Sequence, residues 1–282
     1  MVDRPIPLAP GVVSAASPPD AASARSIRFR GGGFAPTPRR AASWLTFAAV
    51  ILLWQAAGSF GLVSALFLPT PAAIARALAA LARSGELWAH VSVSLGRIGA
   101  GWIIGTAAGL LLGLAIGLFS IARAAGLPMI SALFPIPKIA LLPLLILWLG
   151  IGEISKVATI ALGVFFPTAI AVASGVDSVP RNLIRMAQSF DLPFLDIARK
   201  VVLPGALPSI IAGFRISASI ALLLVVSAEM IGAEKGIGAF VLQAGNLMQT
   251  DQLMAGVIVL SILGLTIAKI IGACERRLLR WR

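Results

Sequence analysis

Few residues in this chain are equipped for chemistry. His90 is the single histidine and Cys274 the single cysteine, so neither an intrachain disulfide nor a multi-histidine or cysteine-cluster metal site can form. His90 reads as a structural or interfacial residue. Glu86, His90, Ser92 and Ser94 lie close together in sequence, yet nothing orients them as a nucleophile, base and orienting group, and a membrane enzyme is set aside. No G-x-x-x-x-G-K-[ST] run occurs, so the chain has no loop of that kind to cradle ATP phosphates. Any energy source must be a partner or an ion gradient. An ion-coupled carrier places acidic relay residues within its spans, and the only candidate is Glu229 in a long apolar run. A cation stands out instead: Lys138 sits among Pro128, Pro135, Pro137 and Pro143 in another apolar run. Proline removes a backbone donor and clashes with the preceding turn, so that segment is expected to be broken. Irregular backbone at membrane depth survives only against protein or a water-filled cavity, which makes Pro135, Pro137, Lys138 and Pro143 candidate pathway residues. Lys138 is read either as functional there or as a snorkelling side chain.

The elements that must position these residues are membrane helices. Of 282 residues, 59% are hydrophobic and 12% charged, whereas soluble domains are about a quarter charged. Residues 41–75, 98–122 and 157–176 contain no Asp, Glu, Lys or Arg, and about 20 apolar residues cross a bilayer. Six spans are expected, near 43–62, 92–120, 127–149, 154–175, 206–232 and 252–272. Residues 1–40 mix Pro, Ala, Ser, Gly and Arg without apolar periodicity and are expected to form a disordered cytoplasmic tail, ahead of a permease-like membrane domain over 41–282. The net charge of +12 is concentrated rather than scattered. With both termini inside, eleven of the twelve fall on cytoplasmic segments and inner helix ends, as Lys and Arg retention requires. No basic face interleaved with aromatics appears, which argues against nucleic acid and for membrane lipid as the surrounding partner.

Residues 71–89 carry apolar residues at helical spacing with Arg76, Arg83 and Glu86 between them and are expected as an interfacial helix on the outer face. Trp44, Trp54, Trp88 and Trp148 lie near predicted span ends, where indoles favour the headgroup layer. In the second span, Gly101, Gly105, Gly109, Gly113 and Gly117 recur every four residues. They share one helix face and are expected to admit a second backbone closely. The long loop over 177–205 contains Phe194, Leu195, Ile197, Ala198, Val201 and Val202 between charged residues. This spacing predicts a short amphipathic surface helix, able to rest on the membrane or to offer its apolar face to a soluble partner.

That loop carries a resemblance. Permeases of ABC importers have a cytoplasmic signature of Glu-Ala-Ala, three residues, Gly, nine residues, an aliphatic, one residue and Leu-Pro. Here Arg185, Met186 and Ala187 stand at the first triplet, Asp191 at the glycine, Val201 at the aliphatic, and Leu203 with Pro204 at the end. Arg185 for Glu and Asp191 for Gly depart from the pattern. The stretches FLPTP, SGELWAH, PIPKIALLPLLILWLGIGE and SAEMIGAEKGIGAF resemble the sulfonate, taurine, nitrate and bicarbonate branch of that family, most of all its aliphatic sulfonate and taurine permeases. The resemblance covers roughly residues 45–275. It implies an all-helical permease of the type I importer kind in a bacterial inner membrane. It further implies a second permease chain completing the pore, expected to be an identical copy, and a periplasmic or lipid-anchored binding protein delivering substrate. A cytoplasmic ATPase dimer would bind ATP and receive the 177–205 loop. The substrate implied is a small oxidised anion, a sulfonate or taurine, with nitrate or bicarbonate as the alternative.

Overall fold

A computed structural model describes residues 40–279, with side chains from Trp44 onward. The expected tail over 1–40 lies almost wholly outside the described residues. Among those described there is no strand, and the order is α1 (Arg40–Ser59), α2 (Pro71–Ser84), α3 (Glu86–Leu118), α4 (Ser120–Leu133), α5 (Leu142–Leu149), α6 (Glu153–Asp177), α7 (Arg181–Ser189), α8 (Phe194–Ile197), α9 (Leu203–Met230), α10 (Ile237–Asn246) and α11 (Thr250–Leu278).

Of the six spans expected, four or five are met among the described residues by length and apolar character alone. Four uninterrupted helical runs are long and apolar enough to cross a bilayer: α3, α6, the run from Phe194 through Met230, and α11. The third predicted span is two helices, α4 and α5, bent by 87° at the break. Three backbone donors are missing there, at Pro135, Pro137 and Pro143, and a proline ring cannot sit against the carbonyl four residues earlier. The first expected span coincides with α1, a helix of 20 residues over Arg40–Ser59.

α3 and α6 form the centre. Gly101 faces Ile160 and Gly117 faces Val176, so the same offset of 59 holds at both ends and the helices run parallel. Each ladder glycine lies where a Cβ would strike α6. At Gly109 it would stand 2.6 Å from the Phe165 carbonyl oxygen, at Gly113 2.6 Å from Val172 Cβ, and at Gly105 it would meet the backbone of Ala161. α9 runs antiparallel against α6, with Gly163 against Leu224 and Gly175 against Ala206 and Ser209. Ile98, Ile160, Val164, Ala221, Val225 and Leu263 fill the space where α3, α6, α9 and α11 meet.

The amphipathic stretch expected over 71–89 is divided. Thr70 caps α2 by accepting from the Ala73 N–H at 3.2 Å, Pro71 occupies its first turn, and Gly85 with φ +83° ends it. Glu86 onward belongs to α3. α2 buries Ile74 and Leu81 against Ala255 of α11, which leaves Arg76 and Arg83 exposed. The short helix predicted over 194–202 is likewise not separate, because α8 continues through a wider turn at Ala198–Val202 into α9. Pro204 accounts for that turn: its ring would press on the Lys200 carbonyl, and local widening of the helix relieves the clash.

Candidate functional site

At the end of the bundle where α3 and α6 finish, Arg123 pairs with Asp177 through two hydrogen bonds of 2.6 and 2.8 Å, and α7 and α8 form a surface segment beside them. Ala187 in α7 is 3% exposed. It packs in a cluster with Val179, Ile197, Val202 and Ala206, and Val201 leans on the same cluster. Asp191 then turns the chain with φ +53°, donating its N–H to the Gln188 carbonyl at 3.0 Å. Aspartate is among the few residues other than glycine that visit this conformation readily, so the turn persists without the glycine. Of the seven residues matched to the loop signature, Ala187 and Val201 therefore face the chain's own interior. Arg185, Met186, Asp191 and Leu203 are exposed, and Pro204 is half-buried. The expectation that Ile197 and Val202 offer an apolar face to a partner is corrected, since both are buried within the chain. The apolar side chains left outside are Leu183, Met186, Phe190, Phe194 and Leu195, with Phe190 73% exposed.

Lys138 sits at the break between α4 and α5. Its Nζ donates to the carbonyls of Leu133, Phe134 and Ile136 at 2.8, 2.9 and 2.7 Å and stands 4.5 Å from the centroid of the Phe166 ring. An ammonium has three protons, and all three are directed at carbonyls of the break, those of Leu133 and Phe134 at the end of α4 and that of Ile136 beyond it. Pro135, Pro137 and Pro143 around it are exposed.

The opposite end of the bundle holds a charged network. Arg97, 4% exposed, reaches two carboxylates. Its Nε and Nη2 grip Glu153 at 2.6 and 2.5 Å, while Nη1 donates to Glu229 at 2.8 Å and to the Lys235 carbonyl at 2.7 Å. Glu229 is fully buried. It also accepts from Ser94 Oγ at 2.8 Å and from the Gly238 N–H at 2.8 Å. Ser94 in turn accepts from the Ile237 N–H at 2.9 Å, and His90 Nδ1 accepts from the Gly236 N–H at 3.1 Å. Buried charge persists only when paired and hydrogen-bonded, and every oxygen of Glu229 is so engaged. The network pins α3, the start of α6, the end of α9 and the entry to α10 together. Beside it opens a cavity of about 570 Å³ reached by Arg97, Glu153, Lys156, Glu234 and Lys235.

Sequence reasoning named Glu229 by itself and His90 with Ser94, and did not join them to one another or to Arg97 and Glu153. The available signal was electrostatic. An arginine and a glutamate inside two apolar spans, neither with a local counter-charge, must find each other. Among the described residues no group of His, Cys, Asp and Glu is arranged to hold a metal ion, and His90 serves to hold the α9–α10 turn.

Residues 105–280 match the family model described as the binding-protein-dependent transport system inner membrane component. The chain is 37% identical over 235 residues to a Bacillus subtilis protein named as an aliphatic sulfonates transport permease, covering 83% of this chain and 85% of that one. It is 36% identical over 241 residues to the taurine transport system permease protein of Escherichia coli, covering 84% and 88%. In fold it is similar to a chain of the MetNI methionine ABC transporter, with a TM-score of 0.56 and 21% identity over 68% of this chain and 94% of that one. It is also similar to a chain of an amino acid ABC transporter, with a TM-score of 0.59 and 17% identity over 71% and 97%. This chain is a multi-pass inner membrane component of an ABC importer. It belongs to the binding-protein-dependent transport family, a family of permeases rather than enzymes, in which ATP hydrolysis belongs to a separate subunit and a binding protein supplies the substrate.

Proposed function

We propose that this permease carries a small sulfonate, an aliphatic sulfonate or taurine, and that two copies of the chain form the pore. The observation that carries the substrate is the agreement in sequence, over more than four fifths of the chain, with relatives named for sulfonates and for taurine. Nitrate or bicarbonate is the alternative. The ATPase subunit docks on the surface formed by α7 and α8, where Met186, Phe190, Phe194 and Leu195 present an apolar patch flanked by Arg185 and Arg199. An exposed apolar patch rimmed by charge is the usual mark of a docking surface. That end of the bundle faces the cytoplasm, with both termini, in accord with the distribution of Lys and Arg. ATP stays on the partner, and this chain holds no cofactor.

The mechanism follows from where rigid and broken elements lie. Docking at α7 and α8 reaches the membrane directly, because α8 runs without interruption into the long helix that ends at Met230. The broken α4–α5 segment, with Pro135, Pro137 and Pro143 exposed, lines the pathway. Lys138 serves there by holding the ends of the break rather than by presenting a free cation.

The test is growth of a strain lacking this permease on taurine, on ethanesulfonate, and on nitrate as sole nitrogen source. A defect confined to the sulfur sources is expected. Normal growth on all three sinks the anion reading, and a defect on nitrate alone transfers it to the alternative.

A further inference from the structure

The cavity beside the Arg97 network carries both signs of charge. Arg97, Lys156 and Lys235 contribute three cations, Glu153 and Glu234 line the same space, and Glu229 stands behind Arg97. Three positive charges thus meet three negative ones. A monoanion entering this cavity adds charge that nothing balances, whereas a zwitterion adds none.

The partners of Arg97 also differ in how firmly they are held. Glu229 is buried and takes hydrogen bonds from Ser94, the Gly238 N–H and Arg97 itself. Glu153 is 62% exposed, and among the described residues Arg97 is the side chain it is hydrogen-bonded to. Glu153 is therefore the one that can leave. Lys156, 5% exposed, opens on the same cavity and spends one hydrogen bond on the Gly152 carbonyl at 3.0 Å, so its ammonium keeps donors for a further acceptor.

We infer that this cavity binds a zwitterionic aminoalkanesulfonate through an exchange of ion-pair partners. The inference rests on the sulfonate reading above. Two sulfonate oxygens take the Nε and Nη2 edge of Arg97 from Glu153, since a guanidinium fork receives paired oxygens on an anion as it does a carboxylate. The third oxygen lies toward Lys156. The ammonium takes the Glu153 carboxylate that has been released. One ion pair breaks within the protein, one is lost within the ligand's own field, and two form across the interface. A simple alkanesulfonate makes the first exchange and leaves Glu153 without a cation, so it binds less tightly.

The experiment uses the full-length chain in lipid nanodiscs with Cys274→Ser and Ser92→Cys, which leaves one thiol at the rim of the cavity. The rate of labelling by uncharged N-ethylmaleimide is measured against increasing taurine, ethanesulfonate and ethylammonium. Half-protection by taurine is expected at about fivefold lower concentration than by ethanesulfonate, the upper scale of one exposed ion pair, with no protection by ethylammonium. In Glu153→Gln the difference between taurine and ethanesulfonate disappears, because the ammonium has lost its carboxylate. Lys156→Met weakens both ligands alike, and Lys156→Arg, which keeps the charge, restores them. Equal protection by taurine and ethanesulfonate in the unmodified cavity overturns the inference. So does a taurine advantage that survives Glu153→Gln, or the absence of protection by either ligand. Those results leave the sulfonate reading standing if the growth defect is present. A missing growth defect sinks that reading whatever the labelling shows.

Discussion

Placing an alanine methyl at Gly105 should separate the two central helices, whereas the same change at Gly99, six residues earlier on α3, should not. At Gly105 the new Cβ would lie 2.9 Å from Ala161 Cα and 3.0 Å from its carbonyl carbon, and closer still to its oxygen. Carbon atoms pack best at about 3.5–4.0 Å, so the helices must part by about 0.6 Å or more at that point. The obstacle is backbone, and no rotamer change can remove it. A gap of about 0.5–1 Å forfeits roughly a quarter to a half of each affected contact, and the neighbouring ladder positions share the loss. Overpacking of this kind costs about 1–3 kcal/mol, offset in part by the better helix propensity of alanine, about 1 kcal/mol. At Gly99 nothing lies within 4 Å of the added atom, so only the propensity gain remains. The two variants should differ by about 1–3 kcal/mol, which corresponds to roughly 3–10 °C in apparent Tm for a protein of this size. The assay is the fraction of detergent-solubilised protein that still elutes as a monodisperse peak after heating. Gly117→Ala supplies an internal check, because there the nearest atoms to the added Cβ belong to the Val176 side chain, the first of them its Cβ at 2.7 Å, and Val176→Gly in the same chain should relieve the clash. No truncation on α6 should rescue Gly105→Ala. If Gly105→Ala and Gly99→Ala shift the transition alike, close approach of the two backbones is not what holds α3 to α6.

Three other outcomes are expected. Phe190→Asp should leave the chain assembled in the membrane and abolish transport with its ATPase, whereas Ala187→Asp should lower recovered protein, because a carboxylate among Val179, Ile197 and Val202 costs several kcal/mol, on the order of 3–5; unimpaired uptake in Phe190→Asp would remove the docking surface from α7 and α8. Asp191→Gly should raise the apparent Tm slightly and Asp191→Val lower it, since φ +53° costs a side-chain-bearing residue about 1–2 kcal/mol, and a reversed order would show that the turn does not limit stability. Lys138→Met should lower thermal stability by exposing three carbonyl groups at the α4–α5 break, with charged hydrogen bonds contributing about 1.5–3 kcal/mol each at most. Wild-type stability combined with lost transport would instead make Lys138 a cation of the pathway.

What the sequence made legible follows from the range of the forces involved. α3, α6 and α11 begin and end within a few residues of the predicted spans, apart from the ends that extend past the apolar core, because a charge-free run is a local property. The prolines of the third run announced a break, but the 87° turn depends on what receives the freed carbonyls, and Lys138 reaching back to Leu133 is visible only in three dimensions. The span expected near 206–232 begins at Phe194 instead, since Asp196, Arg199 and Lys200 interrupt the apolar run without interrupting the helix. Those side chains lie on one side of a helix that simply emerges from the apolar layer. The glycine ladder named a face without naming its partner. The Arg97 network was the least legible feature, since Arg97, Glu153 and Glu229 are separated by 56 and 76 residues, and only the fold sets them at one depth.

The run from Phe194 to Met230 is 37 residues without a sharp bend, about 55 Å at 1.5 Å per residue. One end lies beside the exposed Phe190 and Phe194, and the other carries Glu229, locked to Arg97. Such a rod behaves as a lever. A tilt of about 5° about one end carries the far end through roughly 5 Å, more than the span of an ion-pair contact. The wider turn at Ala198–Val202 is the compliant section of the rod, and it lies near the end where force would be applied, so little of the stroke is absorbed along the remaining length. The hydrogen bonds that hold Glu229 then act as the catch, and their strength fixes how hard the lever must be pushed before the opposite side of the membrane responds.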